Sequence, residues 1–201
     1  MVLRQIRIAL AFIGLIVLVS PPTAQACGHD AFYLGGGYIQ QFLVTPEHRL
    51  GVGSNDRVRF GIPFTFYGLW GYDFCGSRWG IQMPFEYSRF KLNRTEWVNM
   101  MGGSFEGVFH VAAWEDGFDF HLVGGLGLQY LTEGDIQDRT ESVGMTASFG
   151  PGIAWYFGKG RHLALVSQFP VRAIVFIGDR LSANQTTVID LPLRLGLTVG
   201  F

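Results

Sequence analysis

The chain has 201 residues, 15 of them basic and 16 acidic, and only 15% are charged, against roughly 25% in an ordinary soluble domain. A formal net charge of −1 gives no basis for a nucleic-acid partner, and two cysteines are too few for a disulfide scaffold. The 28 glycines and 15% aromatic residues argue against disorder and against a helical bundle, and the length suits one β-rich domain.

Residues 1–26 have the pattern of a secretory signal. Arg4 and Arg7 form a basic start, Ile8 to Val19 an apolar core, and Ala24-Gln25-Ala26 a small-x-small cleavage site. The apolar run is closed by Ser20-Pro21-Pro22 and falls short of the ~20 residues a spanning helix needs. The mature chain, residues 27–201, is expected to begin at Cys27 and to form one domain. Lipid modification of that cysteine is the minority reading, because Ala24-Gln25-Ala26 does not open on an aliphatic residue.

Beyond the signal the period is two. Phe118, Phe120, Leu122, Leu126, Leu128 and Tyr130 fall on one face of a strand, and Asp119, His121, Gly125, Gly127 and Gln129 on the other. Residues 143–157 and 191–201 repeat the pattern, the bulky apolar face opposing one of Gly, Ser, Thr, Asp190 and Arg194. In a soluble barrel the bulky face would turn inward. Here the glycine-studded face suits a narrow interior and the bulky face suits lipid. Eight strands are expected, at 32–43, 57–72, 78–90, 104–114, 118–131, 142–157, 161–177 and 188–201, each long enough to cross a bilayer when tilted, which takes about 9 to 11 residues. Connections should be short around Gly76, Asp116-Gly117 and Lys159, and long over 45–56, 91–103, 131–141 and 179–187. That alternation predicts an all-β, eight-stranded antiparallel transmembrane β-barrel of the up-and-down type. Trp70, Trp79, Trp114 and Trp155 gather near the short turns, as an interfacial belt would, and Trp97 lies at the other end.

Pro63, Pro84, Pro151, Pro170 and Pro192 sit inside expected strands, where a closed barrel has no free edge to accommodate a missing N–H. They are read as bulges. The alternative is that some strands are broken in two.

Parity turns Glu86, Glu106, His110, Asp119, His121, Arg172 and Arg194 into the interior. A tight Asp116-Gly117 turn predicts His110 opposite Val123, Ala112 opposite His121 and Trp114 opposite Asp119, with Glu106, His110, Asp119 and His121 on one wall. An Asp beside a His can do acid–base work, and two histidines with a carboxylate can hold a metal. A network of mutually satisfied charges is the favoured reading, so neither a catalytic residue nor a metal or other cofactor is expected. Arg89, Lys91 and Arg94 make one outer loop basic, and Glu133, Asp135, Asp138 and Glu141 make another acidic, without EF-hand spacing. No phosphate loop, nucleotide fingerprint or zinc-finger spacing is present.

The last eight residues, Arg194-Leu195-Gly196-Leu197-Thr198-Val199-Gly200-Phe201, resemble the assembly signal of bacterial outer-membrane proteins, with Gly196, Val199 and the terminal aromatic Phe201 as its marks. With the signal peptide and the eight segments, the mature chain resembles the small OmpA/OmpX-like outer-membrane barrels. The resemblance implies location in the bacterial outer membrane, with membrane lipid, lipopolysaccharide and the outer-membrane assembly machinery as partners. The basic loop could then contact lipopolysaccharide phosphates. Barrels of this size that hydrolyse lipid A acyl esters carry a His-x-Ser motif, and none of His29, His48, His110, His121 and His162 has Ser two residues later. The expected role is non-enzymatic, structural or surface-interacting, with a small hydrophobic-solute channel as the alternative. Oligomeric state stays open. Cys27 ahead of the first strand and Cys75 in the turn between the second and third are expected to form a disulfide in an oxidising compartment.

Overall fold

The computed structural model describes residues 32–44, 64–74, 76–92, 96–113, 117–133, 140–157, 162–177 and 186–201. The signal segment, Cys27, Pro63, Cys75, Arg94, Trp114, Asp135 and Asp138 lie outside them. Among the described residues eleven strand segments occur: β1 (Phe32–Gln40), β2 (Leu43–Val44), β3 (Phe64–Asp73), β4 (Trp79–Leu92), β5 (Glu96–Ala113), β6 (Phe118–Glu133), β7 (Thr140–Phe157), β8 (Leu163–Gln168), β9 (Val171–Ile177), β10 (Thr186–Asp190) and β11 (Leu193–Gly200). All pairings are antiparallel.

Six of the segments are halves of three staves. β1 and β2 meet β11 and β10 in one unbroken register, and β8 and β9 do the same against β7. The eight staves are therefore β1–β2, β3, β4, β5, β6, β7, β8–β9 and β10–β11, and the last closes on the first. Following paired residues once around the wall, from Tyr33 through Gly71, Gln82, Glu106, Gly125, Ser148, Arg172 and Asp190, returns to the first stave at Leu43. The circuit gains ten residues, which is the stagger that tilts the strands. An eight-stranded barrel so closed has an interior only wide enough for side chains.

Exterior positions carry the bulky apolar face: Phe85, Phe105, Leu126, Met145, Phe149 and Leu197 are each more than half exposed on the isolated chain. Interior positions carry glycines, polar and charged side chains, interspersed with apolar ones such as Ile39, Leu69, Val98 and Ile174. The chain between β3 and β4 turns tightly, with Phe74 N donating to Trp79 O at 2.9 Å and Gly76 at a φ of 74°, a left-handed conformation that favours glycine. This turn, the Ala113 end of β5, the Phe118 end of β6, the Phe157 end of β7, the Leu163 end of β8, and the Phe32 and Phe201 ends lie together at one end of the barrel, the short-turn end.

Several expectations are corrected. Residues 91–103 are not a long loop: β4 runs to Leu92 and β5 starts at Glu96. Arg89 and Lys91 accordingly belong to β4, and Glu133 and Glu141 to β6 and β7. The four described prolines, Pro84, Pro151, Pro170 and Pro192, are not bulges. Pro151 lies within an uninterrupted ladder, and the ladders around Pro84, Pro170 and Pro192 resume in the same register on either side. Pro170 and Pro192 break their staves in two, as the alternative had it. A register shift does occur elsewhere, between His110 and Ala112. It sets His110 opposite His121 and Ala112 opposite Phe120, whereas the tight-turn expectation paired His110 with Val123 and Ala112 with His121. One residue of that difference is already present at Ala112, on the turn side of the shift, and the extra residue Val111, buried beside its inward neighbour His110, adds the second.

Pro170 and Pro192 also face one another. Gly200 N donates to His162 O at 2.7 Å, so every second pair along β8–β9 and β10–β11 exchanges backbone bonds. Counting up that ladder, the pair after Arg194 and Gln168 is Pro192 and Pro170. Neither has an N–H. The wall thus has one rung without a donor.

Candidate functional site

The interior site is built from opposite walls. Staves β4 and β8–β9 are four apart around the ring of eight, as are β5 and β10–β11. Three sets of hydrogen bonds cross the lumen between such opposed staves. Arg194 on β11 forks onto Glu106 on β5, with Nη1 to Oε2 and Nη2 to Oε1 both at 2.9 Å. Arg172 Nη1 on β9 donates to Glu86 Oε2 on β4. Gln82 and Gln168 exchange amide bonds at 3.2 and 3.1 Å.

These struts are cross-linked. Arg194 also reaches Glu86 Oε1 through Nε at 3.2 Å and Nη2 at 3.0 Å, and Arg172 Nε donates to Asp190 Oδ2 at 3.1 Å. Glu106 further accepts from Gln82 Nε2 at 2.6 Å, Ser104 Oγ at 2.9 Å and Ser148 Oγ at 3.3 Å. Glu106, Asp190 and Arg194 are 0% exposed. Charges so far from water persist only when paired and hydrogen-bonded, and guanidinium forks on carboxylates are the strongest such pairs.

A second cluster lies toward the short-turn end. His110 Nδ1 is 2.9 Å from Asp119 Oδ2 and its Nε2 is 3.2 Å from Asp73 Oδ1. A ring with a carboxylate at each nitrogen has no acceptor to offer, so both nitrogens donate. His121 differs. Its Nδ1 is 3.0 Å from Asp119 Oδ2, and its Nε2 is 3.3 Å from Gln168 Nε2, which assigns it as a neutral ring donating at one nitrogen and accepting at the other. Glycine makes room for the cluster: a Cβ at Gly152 would lie 2.3 Å from His121 Nε2, and one at Gly80 would lie 2.1 Å from Asp73 Oδ1.

A cavity adjoins this cluster. Its walls include Tyr33, Asp73, His110, Asp119, His121 and Tyr156, and exposed His162 and half-buried Gly200 line it at the short-turn end. About 30 Å³ of free volume is room for a few waters. Among the described residues no three His, Cys, Asp or Glu converge as a metal site.

The structure places Glu86, Glu106, His110, Asp119, His121, Arg172 and Arg194 in the interior, but divides them. Glu106 joins the arginines, while Asp119 holds both histidines. Asp73, Gln82, Gln168 and Asp190 belong to the site as well. Asp190 and Gln82 share parity with Arg194 and Glu86, so the same alternation carries their signal. The outward face near the other end holds Arg89, whose guanidinium lies 4.7 Å from the Trp97 ring, and Tyr87, whose hydroxyl donates to Asn99 Oδ1 at 3.0 Å.

A closed antiparallel barrel of eight staves, bulky outside and hydrogen-bonded across its interior, is the fold of the small outer-membrane barrel proteins. Two crystal structures illustrate the likeness. Neisserial surface protein A (NspA) matches with a TM-score of 0.61 at 13% identity, over 85% of this chain and 97% of that one. Ail, the attachment invasion locus protein of Yersinia pestis, matches with a TM-score of 0.54 at 12% identity, over 85% and 98%. No protein-family model matches the sequence, and no curated protein matches it.

Proposed function

We propose that this chain is a non-enzymatic protein of the bacterial outer membrane whose lumen is closed by its own side chains, with a structural or surface-interacting role. The observation that carries the reading is the set of cross-lumen struts, Arg194 to Glu106, Arg172 to Glu86 and Gln82 to Gln168, which occupy the space a solute would need. The apolar exterior supports residence in lipid, and the likeness in fold to NspA and Ail supports the outer membrane. Lipid and lipopolysaccharide would surround the wall, and the assembly machinery would read the terminal strand. Against an acyl hydrolase stands the composition of the buried cluster, in which the hydrogen-bond partners of His110 and His121 are carboxylates and an amide and no Ser or Cys nucleophile.

The test is planar-bilayer conductance of the refolded barrel, together with uptake of hydrophobic solutes by cells lacking or overproducing it. Neither steady channels nor altered uptake is expected. Discrete, salt-dependent openings would favour a channel and overturn the closed lumen.

A further inference from the structure

Within the buried Asp73–His110–Asp119–His121 cluster beside the cavity, the charges do not balance. Asp73 and Asp119 contribute two negative charges, His110 with both nitrogens donating contributes one positive, and His121 is neutral by its bonds. One negative charge is left over. A second observation is independent of that count. Asp119 Oδ2 takes both histidines, whereas Asp119 Oδ1, on a residue 3% exposed, is buried with no hydrogen-bond partner. A buried carboxylate oxygen without a donor is costly, and it marks a place where a donor fits.

We propose that this cavity is a binding site for one primary ammonium group entering from the short-turn end. The free volume of about 30 Å³ admits a headgroup of a few heavy atoms, and a quaternary amine, having no N–H, cannot satisfy Asp119 Oδ1. The chemistry follows from the walls. Asp119 Oδ1 accepts from an N–H, the aromatic residues Tyr33 and Tyr156 line the same cavity and aromatic rings attract cations, and the surplus charge is neutralised. A metal ion is a poorer occupant, because both imidazole Nδ1 atoms are engaged by Asp119 Oδ2 and no three ligands converge among the described residues. The ammonium could belong to a free amine or to a lysine side chain.

The experiment titrates the folded barrel in lipid nanodiscs with methylammonium, potassium and tetramethylammonium chlorides at constant ionic strength. The readouts are the thermal midpoint and the ring-nitrogen NMR signals of His110 and His121. Methylammonium should shift both saturably, potassium weakly and tetramethylammonium not at all. Asp119→Asn should weaken the methylammonium response by about tenfold or more, the worth of one charge-assisted hydrogen bond. Because Asp119→Asn could impair folding, Ala154→Leu serves as a second variant that narrows the cavity and leaves the carboxylates in place, and it should abolish saturation. Nα-acetyl-lysine methylamide separates the sources: a response to it as well as to methylammonium assigns a peptide-borne lysine, and a response to methylammonium alone assigns a free amine. Equal responses to methylammonium and potassium, or a saturable response untouched by both variants, would overturn the site.

Discussion

Arg194 concentrates the energetics of the interior in one side chain. It is wholly buried, and it donates to both oxygens of Glu106 and to one of Glu86. Arg194→Met would leave Glu106 without a cation, since Glu86 retains Arg172. Breaking such a pair costs about 3–5 kcal/mol, whereas removing both partners together can be nearly neutral. Arg194→Met should therefore lower the urea midpoint of the lipid-embedded barrel sharply, and adding Glu106→Gln should recover more than half of the loss, as read by heat-modifiable gel migration. A double variant as unstable as the single would show that Arg194 acts through packing. Parity alone puts these residues indoors, because one-residue steps alternate between lumen and lipid. Their partners are not legible in that way. The struts join positions 86 and 88 residues apart, and which wall faces which follows from closure of the ring. The divide between Glu106 and the histidines likewise depends on register, and the extra residue at Val111 shifts that register by one.

At the scale of the elements, proline has a different role from the one its positions suggest. A bulge adds a residue to one strand and offsets the pairing, yet at Pro170 and Pro192 the two prolines meet and nothing is added. Each removes the donor its partner's carbonyl would have used. Changing either to valine restores one N–H, worth about 0.5–1.5 kcal/mol as a hydrogen bond, more where a buried carbonyl is otherwise unmatched. Part is offset by the roughly 0.4–1 kcal/mol that proline contributes by restricting the unfolded chain. The balance should favour Pro170→Val/Pro192→Val, seen as a higher unfolding temperature. A fall would show that the rung is satisfied in another way, or that valine does not fit the lumen beside Gln41. The height of β5 was hidden for a related reason. In Trp97-Val98-Asn99-Met100-Met101 the inward Val98 and Met100 are as apolar as the outward Trp97 and Met101, so the alternation that reveals a strand vanishes where both faces are apolar.

The whole molecule depends on joining its two ends. Phe201 N donates to Phe32 O at 2.8 Å and the two rings lie 6.2 Å apart, so the terminal residue forms a rung of the seam between the first and last staves. That seam continues from Tyr33 with Gly200 to Gln40 with Leu193. Deleting Phe201 therefore removes one hydrogen bond and one aromatic contact from a ladder of many, a loss on the order of 1–2 kcal/mol. Refolding of the shortened chain into detergent should be nearly normal. In cells the proposed assembly role predicts a different outcome, since Phe201 lies 65% exposed at the short-turn end, open to a factor that would read it before the barrel closes. We expect the folded fraction in the outer membrane, measured by heat-modifiable migration, to fall much further than the refolded fraction in detergent. Equal losses in the two settings would reduce Phe201 to a structural rung, and an unchanged folded fraction in cells would remove the assembly role altogether.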